Sequence, residues 1–335
     1  MSIKNICVFG AGALGGAIAA KIASSLGDDV TVSVIARGAH LEAIVRHGLT
    51  LHEAGAEAPI NVKVTATDNP ADLPPQDLVI TGLKGHQLSP AAKGMAKLLK
   101  QETRVVMILN GIPWWYFHRD EHPEFAELQF EELDAGGALW SLIGPQRVIG
   151  CVAHQGAEVS QPGEIRLSNR GRFILGEPSG EISADLQAIQ ALLQQADINV
   201  TLSSRIRDDI WNKLMGNASF NPISALTRSS MAELMADPAV SDQIGKVMRE
   251  VKAVGEALGA NVGMSVEDRL EQSKQIGPVR TSMLQDLLAR KSLEITPLVG
   301  MLVALGRLTS VATPVSETLL AMVSQLDREN CKPAS

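Results

Sequence analysis

Apolar residues follow two regimes along the chain. In the first, short β-branched runs alternate with helix-spaced segments, the pattern of βαβ units and a parallel sheet. It predicts strands over 3–9, 30–35, 77–81 and 104–109, helices over 13–25, 39–47 and 87–99, and a loop at the Pro-rich 68–75. From 148 to 176 the runs shorten around turns at Gln161-Pro162-Gly163 and Asn169-Arg170-Gly171, which predicts antiparallel additions to the sheet. A helix over 181–196 and a strand over 198–202 close this half. Beyond residue 203 the spacing is helical, with Ile244, Val247, Met248, Val251, Val254 and Leu258 on one face. Further helices are expected over 266–276, 282–291, 297–308 and 315–326, with Pro297 and Pro314 suited to first turns. The tail 330–335 should fray. The fold class is therefore α/β: a Rossmann-type domain with extra antiparallel strands over 1–202, then an all-helical domain over 203–335.

Two constellations sit on these elements. Gly10-Ala11-Gly12-Ala13-Leu14-Gly15 directly follows the first strand and opens an Ala-rich helix. The first glycine permits the tight turn, the second lets a pyrophosphate approach the backbone, and the third lets helix and strand pack closely. The helix N-terminus offers its positive dipole end to the phosphates. An NAD enzyme would carry a carboxylate about 20 residues on, at the end of the second strand. That strand instead ends in Arg37, whose guanidinium fits a 2′-phosphate, so the cofactor expected is NADP. The duller reading is a solvated arginine in a turn.

Lys213, Asn217 and Asn221 form the second constellation. At helical geometry they stack an ammonium and two carboxamides along a stripe about 12 Å long, continued by Ile206 and Ile210. Polar groups on a core-facing stripe cost stability unless something polar lies opposite, so the stripe reads as half of a binding site. Alternatively, Lys213 could snorkel to solvent, and Asn221, preceding Pro222, could cap a following helix.

Composition narrows the partners. The 335 residues suffice for two cores, and a net charge of −7 without a basic block argues against nucleic acid. Cys7, Cys151 and Cys331 are widely spaced with no CxxC, which predicts reduced thiols and a cytoplasmic protein. The seven histidines lack ligand spacing, so no metal is expected. The apolar run 6–23 could mimic a signal peptide, but its glycines argue otherwise, and 296–305 is too short to span a bilayer. No membrane partner is expected, and homodimer formation is left open.

Together these motifs make the chain resemble the ketopantoate reductase (2-dehydropantoate 2-reductase) family through nearly its whole length. Carrying the resemblance are the glycine loop with Arg37, the run Gly82-Leu83-Lys84-Gly85-His86-Gln87, the pair Asn110-Gly111, the Lys213 ladder ending in Asn221-Pro222, and Ser282-Met283-Leu284-Gln285-Asp286 with Glu294 beyond it. The resemblance implies that NADPH delivers hydride to a 2-keto acid while Lys213 protonates the developing alkoxide. Glu294 would orient the lysine beside the nicotinamide; Asn110, Asn217, Asn221 and Ser282 would bind substrate together with Lys213. Lys84, Asn110, Gly156 and Glu294 would join the glycine loop and Arg37 around the cofactor.

The chain departs from the family pattern twice. Met231 replaces a substrate-binding asparagine, and Glu294 is followed by Ile295-Thr296-Pro297-Leu298-Val299-Gly300 instead of Ile-Asp-x-x-Asn-Gly. Asn110-Gly111 also runs into Ile112-Pro113-Trp114-Trp115-Tyr116-Phe117, which is expected to add aromatic bulk near the pocket. A larger or more apolar 2-keto acid remains an alternative substrate. So do a related NADP-dependent dehydrogenase for 2-keto or 3-hydroxy acids and a catalytically silent NADPH-binding sensor.

Overall fold

Strand β1 (Asn5–Phe9) is buried along four of its five residues, which places it inside a sheet covered on both faces. The computed structural model, which describes residues 2–332, continues through α1 (Ala13–Leu26), β2 (Thr31–Ile35), α2 (Gly38–His47), β3 (Leu49–His52), β4 (Ile60–Val62), β5 (Thr65–Thr67), β6 (Gln76–Thr81), α3 (Gly85–Ala96) and β7 (Leu99–Ile108). After a long connection come α4 (Ala138–Leu142), β8 (Val148–His154), β9 (Ala157–Gln161), β10 (Glu164–Leu167), β11 (Arg172–Gly176), α5 (Ala184–Gln195) and β12 (Val200–Leu202). Eight strands form one sheet in the order β12-β11-β8-β7-β6-β1-β2-β5, with every neighbouring pair parallel except β8 and β11. The inner order β5-β2-β1-β6-β7-β8 is that of a dinucleotide-binding sheet. Small residues let α1 lie close: a Cβ on Gly15 would stand 2.2 Å from the Gly10 carbonyl oxygen.

Of the antiparallel additions expected over 148–176, only β11 joins this sheet, and β12 continues beside it in the same direction. The hairpin β9–β10 leaves it and joins β3 and β4 in a second sheet, ordered β4-β3-β10-β9. Ile165 explains the departure, because its side chain is fully buried against Gly16 of α1. The helix expected over 87–99 stops at Ala96, since Leu99 already pairs with Gln76 at the start of β7. The aromatic run after Gly111 also departs from expectation. Trp115, Tyr116 and Phe117 are buried within the sheet-bearing unit, Trp115 against Gly150 and Phe117 against Phe125 and Phe130, so their bulk goes into this unit's own packing.

The chain divides into two compact units, 1–109 with 114–206, and 110–113 with 207–335. The second is helical: α6 (Ile206–Thr227), α7 (Met231–Ala236), α8 (Pro238–Ala257), α9 (Val266–Ser273), α10 (Ser282–Leu288), α11 (Met301–Leu308) and α12 (Pro314–Asn330). Helix α6 is buried on most of its circumference, and the Trp211 ring lies against Gly255 of α8, where a Cβ would come within 2.9 Å of it. The expected face of α8 is buried throughout, and Glu250 on the same helix accepts the Val315 and Ser316 N–H groups at 2.9 and 2.8 Å, tying down the start of α12. The helix expected from Pro297 begins instead as a π-turn, Thr296–Gly300, before α11. Asn330 ends α12, and residues 333–335 of the tail expected to fray lie outside the described residues. No helix among the described residues is long and apolar enough to cross a membrane.

Candidate active site

In the sheet-bearing unit, three predicted cofactor positions lie just past the C-terminal ends of adjacent parallel strands, where open α/β sheets bind ligands. Gly10 follows β1 with φ +96°, and a Cβ there would meet Leu83 at 2.7 Å. Its N–H and that of Ala11 donate to the Ile35 carbonyl at 3.1 and 3.0 Å, fixing the turn. Gly12 differs: the nearest atom to its absent Cβ is the Gly82 carbonyl oxygen at 3.9 Å, so the protein itself leaves that space open. Ala13 and Leu14 begin α1 without a side-chain cap or first-turn acid, so nothing on this helix competes with an anion for its first N–H groups.

Arg37 follows β2, exposed, as the cap residue of α2, which likewise has no side-chain cap and no acid in its first turn. Lys84 follows β6, half-buried, and its N–H donates to Gln87 Oε1 at 3.0 Å as α3 starts. An open glycine and two uncapped helix starts fit a dinucleotide, and an exposed guanidinium stands at the end of β2. Gly156, two residues past β8, has a packing reason of its own: its N–H donates to Asn169 Oδ1 at 2.8 Å, and a Cβ would stand 2.0 Å from Ser168 Oγ.

In the helical unit, Asn110 joins two residues far away in sequence. Lys213 Nζ donates to Asn110 Oδ1 at 2.7 Å, and Asn110 Nδ2 donates to Glu294 Oε2 at 3.3 Å. An ammonium needs an oxygen and a carboxylate needs an N–H, so the two partners fix which way the carboxamide faces. Backbone packing holds this amide in place. Gly111 has φ +77°, a Cβ there would lie 2.0 Å from the Pro297 carbonyl oxygen, and that oxygen accepts the Ile112 N–H at 2.8 Å. The Asn110 turn thus rests on the π-turn just after Glu294.

Asn217 and Asn221 follow Lys213 at successive turns of α6, Asn217 half-buried and Asn221 only 5 % exposed. Helix α6 runs unbroken through Pro222, so Asn221 caps no new helix. Ser282 is exposed at the first position of α10; among the described residues it shares no hydrogen bond with Lys213, Asn110 or Glu294. Met231 is buried at the start of α7, its N–H on the Val279 carbonyl at 2.9 Å. Sequence reasoning missed His40, whose ring touches the glycine loop; neither of its hydrogen-bond partners is near it in sequence.

The fold and these residues define a two-unit α/β protein with a dinucleotide-type glycine loop and a separate helical lysine–asparagine–glutamate cluster. The family models described as ketopantoate reductase PanE/ApbA and its C-terminal part match residues 6–180 and 205–327. The chain belongs to the ketopantoate reductase family. It is 43 % identical to a 2-dehydropantoate 2-reductase of Mesorhizobium japonicum over 322 residues, covering 96 % of this chain and 97 % of that protein. Among solved structures, a Ralstonia solanacearum MolK2 protein superposes with TM-score 0.92 at 38 % identity, covering 98 % of this chain and 99 % of that one. The 2-dehydropantoate 2-reductase of Geobacter metallireducens GS-15 superposes with TM-score 0.82 at 27 % identity over 96 % and 99 % of the two chains.

Proposed function

We propose that this chain is a cytoplasmic NADPH-dependent reductase that converts 2-dehydropantoate to pantoate in pantothenate and coenzyme A biosynthesis, with Lys213 as proton donor. The observation that carries this reading is the bridge Lys213–Asn110–Glu294, which aims an ammonium through two hydrogen bonds on a fixed turn. Residues 1–202 would hold the cofactor, through Gly10 to Gly15, Arg37 and Lys84, and 203–335 the substrate. Asn110 and Glu294 would flank the nicotinamide, and Gly156 stands as a further cofactor neighbour.

Bound NADPH supplies the hydride that converts the C2 carbonyl to an alcohol. Negative charge grows on the carbonyl oxygen in that step, and the Lys213 ammonium stabilises it and then gives it a proton. Asn110 holds the direction of Nζ, and Glu294 holds Asn110. The buried carboxamide of Asn221 would pair with the substrate's polar end, because a buried amide is stable only with a partner, and half-buried Asn217 and exposed Ser282 would add hydrogen bonds to the same end.

A second reading keeps the chemistry and changes the substrate to a more apolar 2-keto acid. It is favoured by buried Met231 and by Pro297, Leu298 and Val299, all buried after Glu294. Following NADPH absorbance with 2-dehydropantoate and a panel of branched 2-keto acids separates the readings. Turnover of 2-dehydropantoate is expected; turnover of none, despite NADPH binding, would sink the reductase reading in favour of a silent sensor. Lys213→Ala should lower kcat on the order of 10²–10⁴-fold while NADPH affinity stays the same.

A further inference from the structure

His40, in the first turn of α2, links two segments that are distant in sequence. Its Nε2 lies 2.7 Å from the Ala11 carbonyl oxygen of the glycine loop, and its Nδ1 lies 3.0 Å from the Gly163 amide nitrogen in the β9–β10 turn. The two partners decide where the ring proton is. A backbone N–H can only donate, so Nδ1 must be the bare nitrogen; a carbonyl can only accept, so Nε2 must carry the hydrogen. The ring is therefore a neutral imidazole in one tautomer.

The consequence for the loop is peptide geometry. In a planar trans peptide the C=O and the following N–H point in opposite directions. Drawing the Ala11 carbonyl toward His40 thus turns the Gly12 N–H to the other side. The preceding peptides are already fixed, because the Gly10 and Ala11 N–H groups donate to Ile35. Gly12 is also the residue whose missing Cβ leaves open space, as a close phosphate approach requires.

The far side of the ring rests on a rigid support. Gly163 has φ +80°, and a Cβ there would meet Ala43 of α2 at 3.0 Å. Two residues further, Ile165 presses on Gly16 of α1, where a Cβ would lie 2.1 Å from it. The second sheet and the glycine loop are thereby locked to each other, with His40 as the polar part of the lock.

We propose that His40 is a positioning residue for dinucleotide binding: as the neutral Nε2–H tautomer, braced on Gly163, it orients the Ala11–Gly12 peptide so that the Gly12 N–H faces the phosphates. This rests on the dinucleotide reading of the glycine loop. ¹⁵N NMR of the cofactor-free protein reads the ring directly, and the expected signature is an unprotonated Nδ1 with a protonated Nε2. In fluorescence titrations with NADPH, His40→Ala should weaken binding roughly 5–10-fold, the equivalent of one net hydrogen bond. His40→Gln should regain most of that, because a carboxamide offers one donor and one acceptor. Glu42→Ala, exposed on the same helix, should bind NADPH as the wild type does. A protonated Nδ1, wild-type affinity in His40→Ala, or a His40→Gln as weak as His40→Ala with an equal loss of Tm would each overturn the proposal. If the wild type itself fails to bind NADPH, the dinucleotide reading falls instead, while the NMR result still decides the ring's hydrogen bonds.

Discussion

Under the proposed function the choice between a 2′-phosphate and a 2′-hydroxyl falls to Arg37, the exposed guanidinium at the end of β2. Arg37→Ala should lower NADPH affinity roughly 10–100-fold, the range of charge-assisted hydrogen bonds, and leave NADH nearly unaffected. An undiminished preference for NADPH in paired titrations would refute the assignment. The place of Arg37 just past β2 was legible in the sequence because the glycine loop counts out its position. Lys213 was legible for a different reason, as a cation on a stripe that should be apolar. The bridging geometry of Asn110 was not, because its partners at 213 and 294 meet it only after folding. His40 was invisible for the same reason, and the buried aromatics after Gly111 misled because their spacing does not say which way they turn.

At the scale of elements, the long parallel strands and the α8 face were legible from periodicity, whereas the second sheet was not. Its strands have three to five residues, and β3 pairs with a strand more than a hundred residues later, so no local pattern announces it. Neither does periodicity reveal what aligns the strands at their ends. Asp77 on β6 does so: its carboxylate accepts the Lys4 and Asn5 N–H groups at 2.7 and 2.8 Å where β1 begins, and pairs with Lys100 on β7. Burial alone would push the Asp77 carboxyl up, but the Lys100 hydrogen bond and the two backbone N–H groups outweigh it and hold it below the usual 3.8. A depressed folded-state value means that the ionised form favours the folded chain. Its contribution is complete above 3.8 and is lost as pH falls through the lower folded value. Denaturant titrations should show the wild type losing stability below that pH, whereas Asp77→Asn should be less stable near neutrality and flatter on the acid side. Curves that stay parallel down to low pH would exclude the carboxylate as the cause.

On the scale of the whole molecule, the proposed roles follow the division of the chain, with Asn110 and Glu294 of the helical unit reaching the nicotinamide end of the cofactor. The glycine loop, Arg37, Lys84 and His40 belong to the sheet-bearing unit; Asn110, Lys213, Asn217, Asn221 and Glu294 belong to the helical one. That Asn110 follows β7 in the chain yet packs with the helical unit was not foreseeable from a single boundary near 203, because a four-residue excursion has no compositional signature. Its packing follows from Gly111, whose close approach to Pro297 no other residue could make. If each unit holds the ligand proposed for it, hydrogen exchange should separate the two. A ligand that binds only the folded form, at about 100 times its Kd, adds roughly 2.7 kcal/mol, enough to slow exchange in the segments it orders. NADPH alone should protect the turns after β1, β2 and β6, and the 2-keto acid, added second, should protect α6 around Asn217 and Asn221. Equal protection of α6 and the glycine loop by NADPH alone would contradict this division, whatever the assay says about turnover.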